Sequence, residues 1–541
     1  MKNLVTHFPS PYKPTDKQVD TLNRIEAAFN RGVKVVICNA PTGSGKSLLA
    51  RTLQGYATPA TEKFAELIKS YKAFRQDYVG GYTYADECLA EPPHGVMVLT
   101  ITKALQNQYQ ELFENTATIK GKSNYTCDVD PNFDVETAPC LFIPKIKENC
   151  LQEFRCPYYN ARSMGLLAPF SALNYKMFLS LPGHVKRKNI IVCDEASELE
   201  DELVKMFSAD ILYSRLKYYG LTYKPLLSDN YDVVLPWLTD IKSQVQAKIN
   251  SITEKVAKSK QPISQTEKVK LTQLRNLNNS LATVQDSWNQ CEYVIDRSGE
   301  GVSLTPLRVN NLSRSIFDYA DRVLLMSATI IDPKNFAKTL GITNYEYIEV
   351  DSTFDANKSP IYIASKYRLN YNNLPRLLPA IAEEVAKICE HHAKEKGVIH
   401  THNMEICKVL QRKLTKDRFL FRSEKETNES ILEKHQNDAS PTVLISPSLT
   451  HGVDLKDDLA RFQIVIKLPF LPLANKRIKR LFELDKEWYE DKMLNSLVQA
   501  CGRATRSIDD HSVTYIVDGN ITDVILRCQH KLPKHFIARF C

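Results

Sequence analysis

No stretch of this chain approaches the ~18 consecutive apolar residues that a membrane span requires. The first residues, MKNLVTHFPSPYKPTDKQ, lack the continuous apolar core of an export signal. No fixed-period repeat or long low-complexity tract is visible. A disulfide framework is equally unsupported: the 13 cysteines are an odd number, and without an export signal a reducing compartment is expected. What remains is an intracellular, soluble protein with no membrane partner.

The 541 residues are 43% apolar and 25% charged, ordinary for soluble globular chains and long enough for several domains. That balance excludes a disordered tail, a collagen and a coiled-coil rod. The net charge of +8 permits a polyanionic partner without demanding one.

Short β-branched runs bounded by polar or turn residues read as buried parallel strands. They are Val33–Asn39, Val96–Thr100, Asn189–Cys193, Arg322–Ser327, Gly397–Thr401, Thr442–Ser446, Gln463–Leu468 and Val513–Asp518. Helical patterns lie between many of them, such as Ile381, Val385 and Ile388. This alternation predicts an α/β fold with ligands at the C-terminal strand ends.

Two regions break the alternation. Residues 116–160 are rich in Gly, Asn, Asp and Pro and read as loops. They carry Cys127, Cys140, Cys150 and Cys156, four cysteines in 30 residues where even scattering predicts fewer than one. Residues 198–312 are polar and helical. Within them Ile241, Val245, Ile249, Ile252 and Val256 form one stripe, and Leu274, Leu277, Leu281, Val284 and Trp288 another. The stretch AKSKQPISQT between the stripes reads as a turn, so a helical hairpin is expected, either a protruding arm or an ordinary packed subdomain.

After the first strand come Ala40, Pro41, Thr42, Gly43, Ser44, Gly45, Lys46 and Ser47, then an apolar helix start. A strand, glycine-rich turn and helix N-terminus present N–H groups and a favourable dipole to phosphates. Lys46 is placed to reach the β/γ-phosphates of ATP and Ser47 to ligate Mg²⁺. The strand NIIVC ends in Asp194 and Glu195. Hydrolysis needs a carboxylate for the metal and a second group to position water, roles that fall to Asp194 and Glu195. Near the C-terminus, QACGRATR precedes another strand. Arg503 and Arg506, three apart, project from one helix face and suit the stabilisation of a transferring phosphoryl group.

In order, these segments resemble superfamily 2 helicases, and among them the iron–sulfur branch typified by XPD and DinG. Thr15-Asp16-Lys17-Gln18 looks like the element whose Gln reads adenine, and APTGSGKS like motif I. LTITKALQNQY at 99–109 looks like motif Ia, Asp194-Glu195-Ala196-Ser197 like motif II, and Ser327-Ala328-Thr329 like motif III. SPSLTHGVDL at 446–455 looks like motif V and QACGRATR like motif VI.

The resemblance implies two RecA-like parallel-sheet domains. The first comprises residues 1–115, 161–197 and 313–345, interrupted by an iron–sulfur insertion at 116–160 and a helical arch at 198–312. The second is 346–541. It implies ATP and Mg²⁺ held by Gln18, Thr42, Gly43, Ser44, Gly45, Lys46, Ser47, Asp194 and Asp454, with Glu195, Gln499, Arg503 and Arg506 completing catalysis. Ser197, Ser327, Thr329 and Gly452 would couple hydrolysis to movement, and Thr102 and Thr450 would contact nucleic acid. Cys127, Cys140, Cys150 and Cys156 would hold a [4Fe–4S] cluster, four thiolates being the required set. Zinc is the rival, but structural zinc sites usually show close Cys-x₂₋₄-Cys pairs, whereas the intervals here are 12, 9 and 5 residues.

The implied activity is 5′→3′ translocation by a monomer on single-stranded DNA, with unwinding at single-strand/duplex junctions. RNA as the track, an ATPase that remodels without separating strands, and a redox-sensing DNA-binding module are the other readings. Three features depart from the family pattern. Ser197 stands where the motif II box usually has His, His451 where motif V commonly has Glu, and residues 56–94 are longer than expected. The basic runs Lys186-Arg187-Lys188 and Lys476-Arg477 with Lys479-Arg480 read as solvated faces more readily than as phosphate contacts. His400 and His402 read as a packed or surface pair.

Overall fold

Sixteen strands run through the described residues of the computed structural model, which describes residues 3–59, 93–141, 143–152, 155–258, 264–352, 355–422, 428–447, 455, 457–502 and 510–541. In chain order they are β1 (Val35–Asn39), β2 (Val96–Thr100), β3 (Ala117–Ile119), β4 (Phe170–Asn174), β5 (Lys188–Asp194), β6 (Ala209–Leu212), β7 (Tyr293–Arg297) and β8 (Gly301–Pro306). There follow β9 (Ala320–Ser327), β10 (Tyr345–Glu349), β11 (Ile361–Ile363), β12 (Gly397–His400), β13 (Phe419–Phe421), β14 (Val443–Ser446), β15 (Phe462–Val465) and β16 (Val513–Ile516).

Two parallel sheets define the architecture, with orders β10-β1-β9-β5-β2-β4-β3 and β11-β16-β15-β12-β14-β13. Each of the eight expected runs carries a strand, its ends differing by at most three residues. The reason lies in burial: every position of β1, β2 and β5 is buried. Alternate residues feed opposite faces, as the pleat dictates. Val36, Val98, Val192 and Leu324 pack in one core, and their neighbours Ile37, Leu99, Ile191 and Leu325 in the other. The fold is therefore α/β with two RecA-like sheets.

Five strands of these sheets escape the apolar-run signal. β3, β11 and β13 are three residues long, and β4 reads FSALN, with Ser and Asn inside it. β10 reads YEYIE and lies at the sheet edge, half-buried along most of its length. It pairs in parallel with β1 and so crosses the 345/346 boundary expected from sequence, completing the first sheet.

The two apolar stripes form antiparallel-running helices at Tyr231–Lys258 and Gln265–Ser287, sharing one core through Ile241, Val245, Leu274 and Leu281. Ser264 and Glu267 close a capping box at the second helix. A small antiparallel sheet, β6-β8-β7, underlies this core through Ile211, Ile295 and Leu304. Residues 116–160, read as loops, contain β3, a helix at Pro144–Gln152, and the start of a helix at Pro157–Leu167. Cysteines and polar residues there mask the helical period. Among the described residues, no helix is long and apolar enough to cross a membrane.

Candidate nucleotide site and cysteine pocket

The glycine-rich turn joins β1 to a helix at Lys46–Thr52. Gly43 (φ +79°) and Gly45 (φ +81°) adopt the left-handed conformation that a Cβ opposes. A Cβ on Gly45 would also collide with the Gln18 amide. Gln18 is turned towards this loop: its Oε1 accepts from Thr15 N at 2.9 Å and its Nε2 donates to Ser44 O at 2.9 Å. Both ends of the amide expected to read adenine are thus engaged by the protein. Lys46 Nζ lies across the loop, donating to Ala40 O at 3.2 Å. Ser44 Oγ is buried with no hydrogen-bond partner among the described residues, a polar atom suited to an anion. Thr42 is half-buried on the same turn.

β5 delivers Asp194 and Glu195 beside this turn. Asp194 is buried, its Oδ1 accepting from Glu195 N at 3.1 Å and its Oδ2 from Tyr109 Oη at 2.9 Å. Burial, then the Glu195 charge, pushes its carboxyl up to about 6, against the pull of Lys46 and the two hydrogen bonds. Glu195 itself sits in the left-handed region (φ +52°), which a non-glycine residue adopts at a cost of about 1–3 kcal/mol and which clusters at functional sites.

β9 places Ser327 next to motif II: Ser327 Oγ donates to Ser197 Oγ at 2.9 Å. From a helix at Lys486–Cys501, beside the second sheet, Gln499 Nε2 donates to Thr329 Oγ1 at 3.0 Å and to Ser197 Oγ at 3.2 Å. It also lies 3.4 Å from Glu198 Oε1, whose carboxyl is raised to about 7, chiefly by burial. Gln499 therefore meets motifs II and III. Arg503, Arg506, Thr450, His451, Gly452 and Asp454 lie outside the described residues, as do residues 60–92 of the long segment after motif I. Thr102 caps the helix Lys103–Leu112, its hydroxyl accepting from Leu105 N.

Of the basic runs, Lys186, Lys188 and Arg477 turn inward, whereas Arg187, Lys476, Lys479 and Arg480 are exposed. Lys188 Nζ donates to Ala168 O at 2.8 Å, and Lys186 lies over the rings of Tyr319 and Phe178, its ammonium lowered to about 8 by burial. Arg477 donates to Glu200 at 2.7 Å and to Pro306 O at 2.8 Å. Lys476 and Arg480 pair with Asp296 and Glu292. Glu200 also meets Lys492 at 2.9 Å and the Trp488 indole at 3.0 Å, forming a buried ionic joint between the sheets that sequence reasoning missed. Its charged residues are scattered through polar helices, which leaves no spacing to read. Cys38 and Cys193 are core residues whose thiols burial pushes up to about 12. His400 and His402 stack with ring centroids 6.0 Å apart.

The four clustered cysteines line a single pocket with Val135 and Ala138. Cys156 precedes the helix Pro157–Leu167; burial raises its thiol, and the N–H groups of Tyr159 and Tyr158 pull it back. Cys150 is pushed up to about 12 by burial and then by Cys156, Cys140 and Cys127. The neighbouring thiols thus oppose ionisation of Cys150, the situation that a cationic metal centre relieves. No group of three His, Cys, Asp or Glu among the described residues is arranged to hold a single metal ion.

The first of two parallel sheets thus sets the glycine-rich turn after β1 beside the acidic end of β5. Residues 388–538 match the helicase C-terminal domain family. A probable ATP-dependent helicase of Methanocaldococcus jannaschii is 22% identical over 652 aligned positions, covering 96% of this chain and 93% of that protein. A solved XPD helicase superposes with a TM-score of 0.63 at 16% identity, over 98% of this chain and 99% of its own. Xpd4 of S. tokodaii gives 0.58 at 14% identity, over 95% and 97%. The fold is that of XPD helicases.

Proposed function

We propose that the chain is a DNA helicase that hydrolyses ATP, moves 5′→3′ on single-stranded DNA and opens duplexes at single-strand/duplex junctions as a monomer. The observation that carries this reading is Gln499, which reaches from a helix beside the second sheet to Ser197 and Thr329 of the first. A nucleotide site divided between two sheets makes closure depend on the γ-phosphate, a differential contact that hydrolysis removes. Lys46 would bind the phosphates, Ser47 and Asp194 would hold Mg²⁺, and Glu195 would orient the attacking water. Arg503 and Arg506 would stabilise charge on the transferring group.

Cys127, Cys140, Cys150 and Cys156 would hold a [4Fe–4S] cluster. A cluster offers each thiolate its own iron, so its four ligands need not converge on one point as zinc ligands do. When bound, it would tie the short segments around these four cysteines into one unit. The helical hairpin would stand as the arch beside it, with Lys268 Nζ over the Phe133 ring at 3.4 Å supporting contact between the two.

ATP turnover measured with and without single-stranded DNA, and with RNA of the same sequence, tests the reading. Stimulation by DNA supports it. Stimulation by RNA alone replaces the track, and turnover indifferent to both overturns the motor.

A further inference from the structure

Tyr109 is fully buried on the helix Lys103–Leu112, two turns after the Thr102 cap. Its phenol donates to Asp194 Oδ2 at 2.9 Å. A phenol has one proton to give, and here it goes to a side chain expected to hold Mg²⁺. The helix that carries it is anchored midway: Gln106 Nε2 donates to Ile119 O at 2.9 Å and to Ala172 O at 2.8 Å. The ring packs against Phe113 and Phe170, and Arg51, from the helix after the glycine-rich turn, lies over Phe170 at 4.7 Å.

We propose that Tyr109 is a positioning residue for the metal-binding carboxylate of Asp194, and that it links the Thr102 end of its helix to that carboxylate. This rests on the nucleotide-site reading above and goes beyond it by naming how a contact at Thr102 reaches the metal. The helix is held at Thr102 and at Gln106, so a displacement at the cap moves the phenol, and the phenol reorients Asp194. Partners of this kind, which orient metal ligands without touching the metal, typically govern affinity by 10–100-fold.

The test is Tyr109→Phe in the full-length chain, which removes one oxygen and adds no bulk. Phe113→Leu is the matched variant that loosens the same aromatic packing while keeping the phenol. Binding of a fluorescent ADP analogue is titrated with Mg²⁺, and bound Mn²⁺ is counted by electron paramagnetic resonance, each with and without single-stranded DNA. We expect Tyr109→Phe to need about tenfold more Mg²⁺ for tight nucleotide binding and to lose the effect of DNA on that requirement. Its metal-free nucleotide affinity should stay at the wild-type value. Phe113→Leu should lower the melting temperature and leave the metal requirement unchanged. An unaltered metal requirement in folded Tyr109→Phe overturns the positioning role, as does an equal shift in Phe113→Leu. A wild-type chain that binds no nucleotide at all overturns the nucleotide-site reading itself, a result distinct from both.

Discussion

The side-chain amide of Gln499 donates to the Ser197 hydroxyl at 3.2 Å, and the same hydroxyl receives Ser327 Oγ at 2.9 Å. One small side chain thus collects a group from motif III and a group from the far sheet. A serine fills the place where the family usually has histidine, and it still accepts both bonds. Gln499→Ala removes the far-sheet partner. Each neutral bond is worth about 0.5–1.5 kcal/mol, so two lost bonds cost roughly 1–3 kcal/mol of closure. DNA-stimulated turnover should fall about 5- to 160-fold while nucleotide affinity changes little, as a comparison of kcat with KM will show.

Lys46→Ala should abolish ATP hydrolysis and leave the fold intact, because the side chain is half-buried and, among the described residues, hydrogen-bonds a loop carbonyl alone. Phosphate release and circular dichroism on the same sample check both halves. Normal turnover would remove the nucleotide site from the account.

Glu200 governs stability at low pH. Burial alone would raise its carboxyl, but Lys492, Arg477 and the Trp488 indole hold it at about 2, below the ordinary 4.5. A lowered carboxyl contributes stability that is complete above its unfolded-state value and is lost as pH falls through the folded one. The joint should therefore weaken between about pH 4.5 and 2. Urea midpoints followed down the pH scale should fall steeply in the wild type and less so in Glu200→Gln. Arg477→Met leaves a buried carboxylate short of a partner and should cost about 3–5 kcal/mol.

Cys150→Ser, and equally Cys127→Ser, should leave anaerobically purified protein without the iron and acid-labile sulfide of the wild type, about four of each per chain for a [4Fe–4S] centre. Zinc recovered in place of iron would overturn the cluster assignment.

The central strands were legible because a strand buried on both faces has to be apolar throughout, as Val35–Asn39 and Lys188–Asp194 largely are. The edge strand Tyr345–Glu349 was not, since half its side chains meet water and alternate with glutamates. Contiguous site elements, such as residues 40–47 and 194–197, could be read because their chemistry sits in one turn. Tyr109 and Glu200 could not, because their meaning depends on partners 85 and 277 residues away in sequence. Arg477 shows the converse error: a basic run suggests surface, yet the guanidinium is buried against a carboxylate.

The most direct test of the central claim is strand displacement with ATP and Mg²⁺, using anaerobically purified protein on duplexes that carry either a 5′ or a 3′ single-stranded tail. The account predicts displacement from the 5′-tailed duplex alone, and none with Lys46→Ala. Displacement from the 3′ tail alone would contradict the polarity, and DNA-stimulated turnover with neither duplex opened would contradict the helicase.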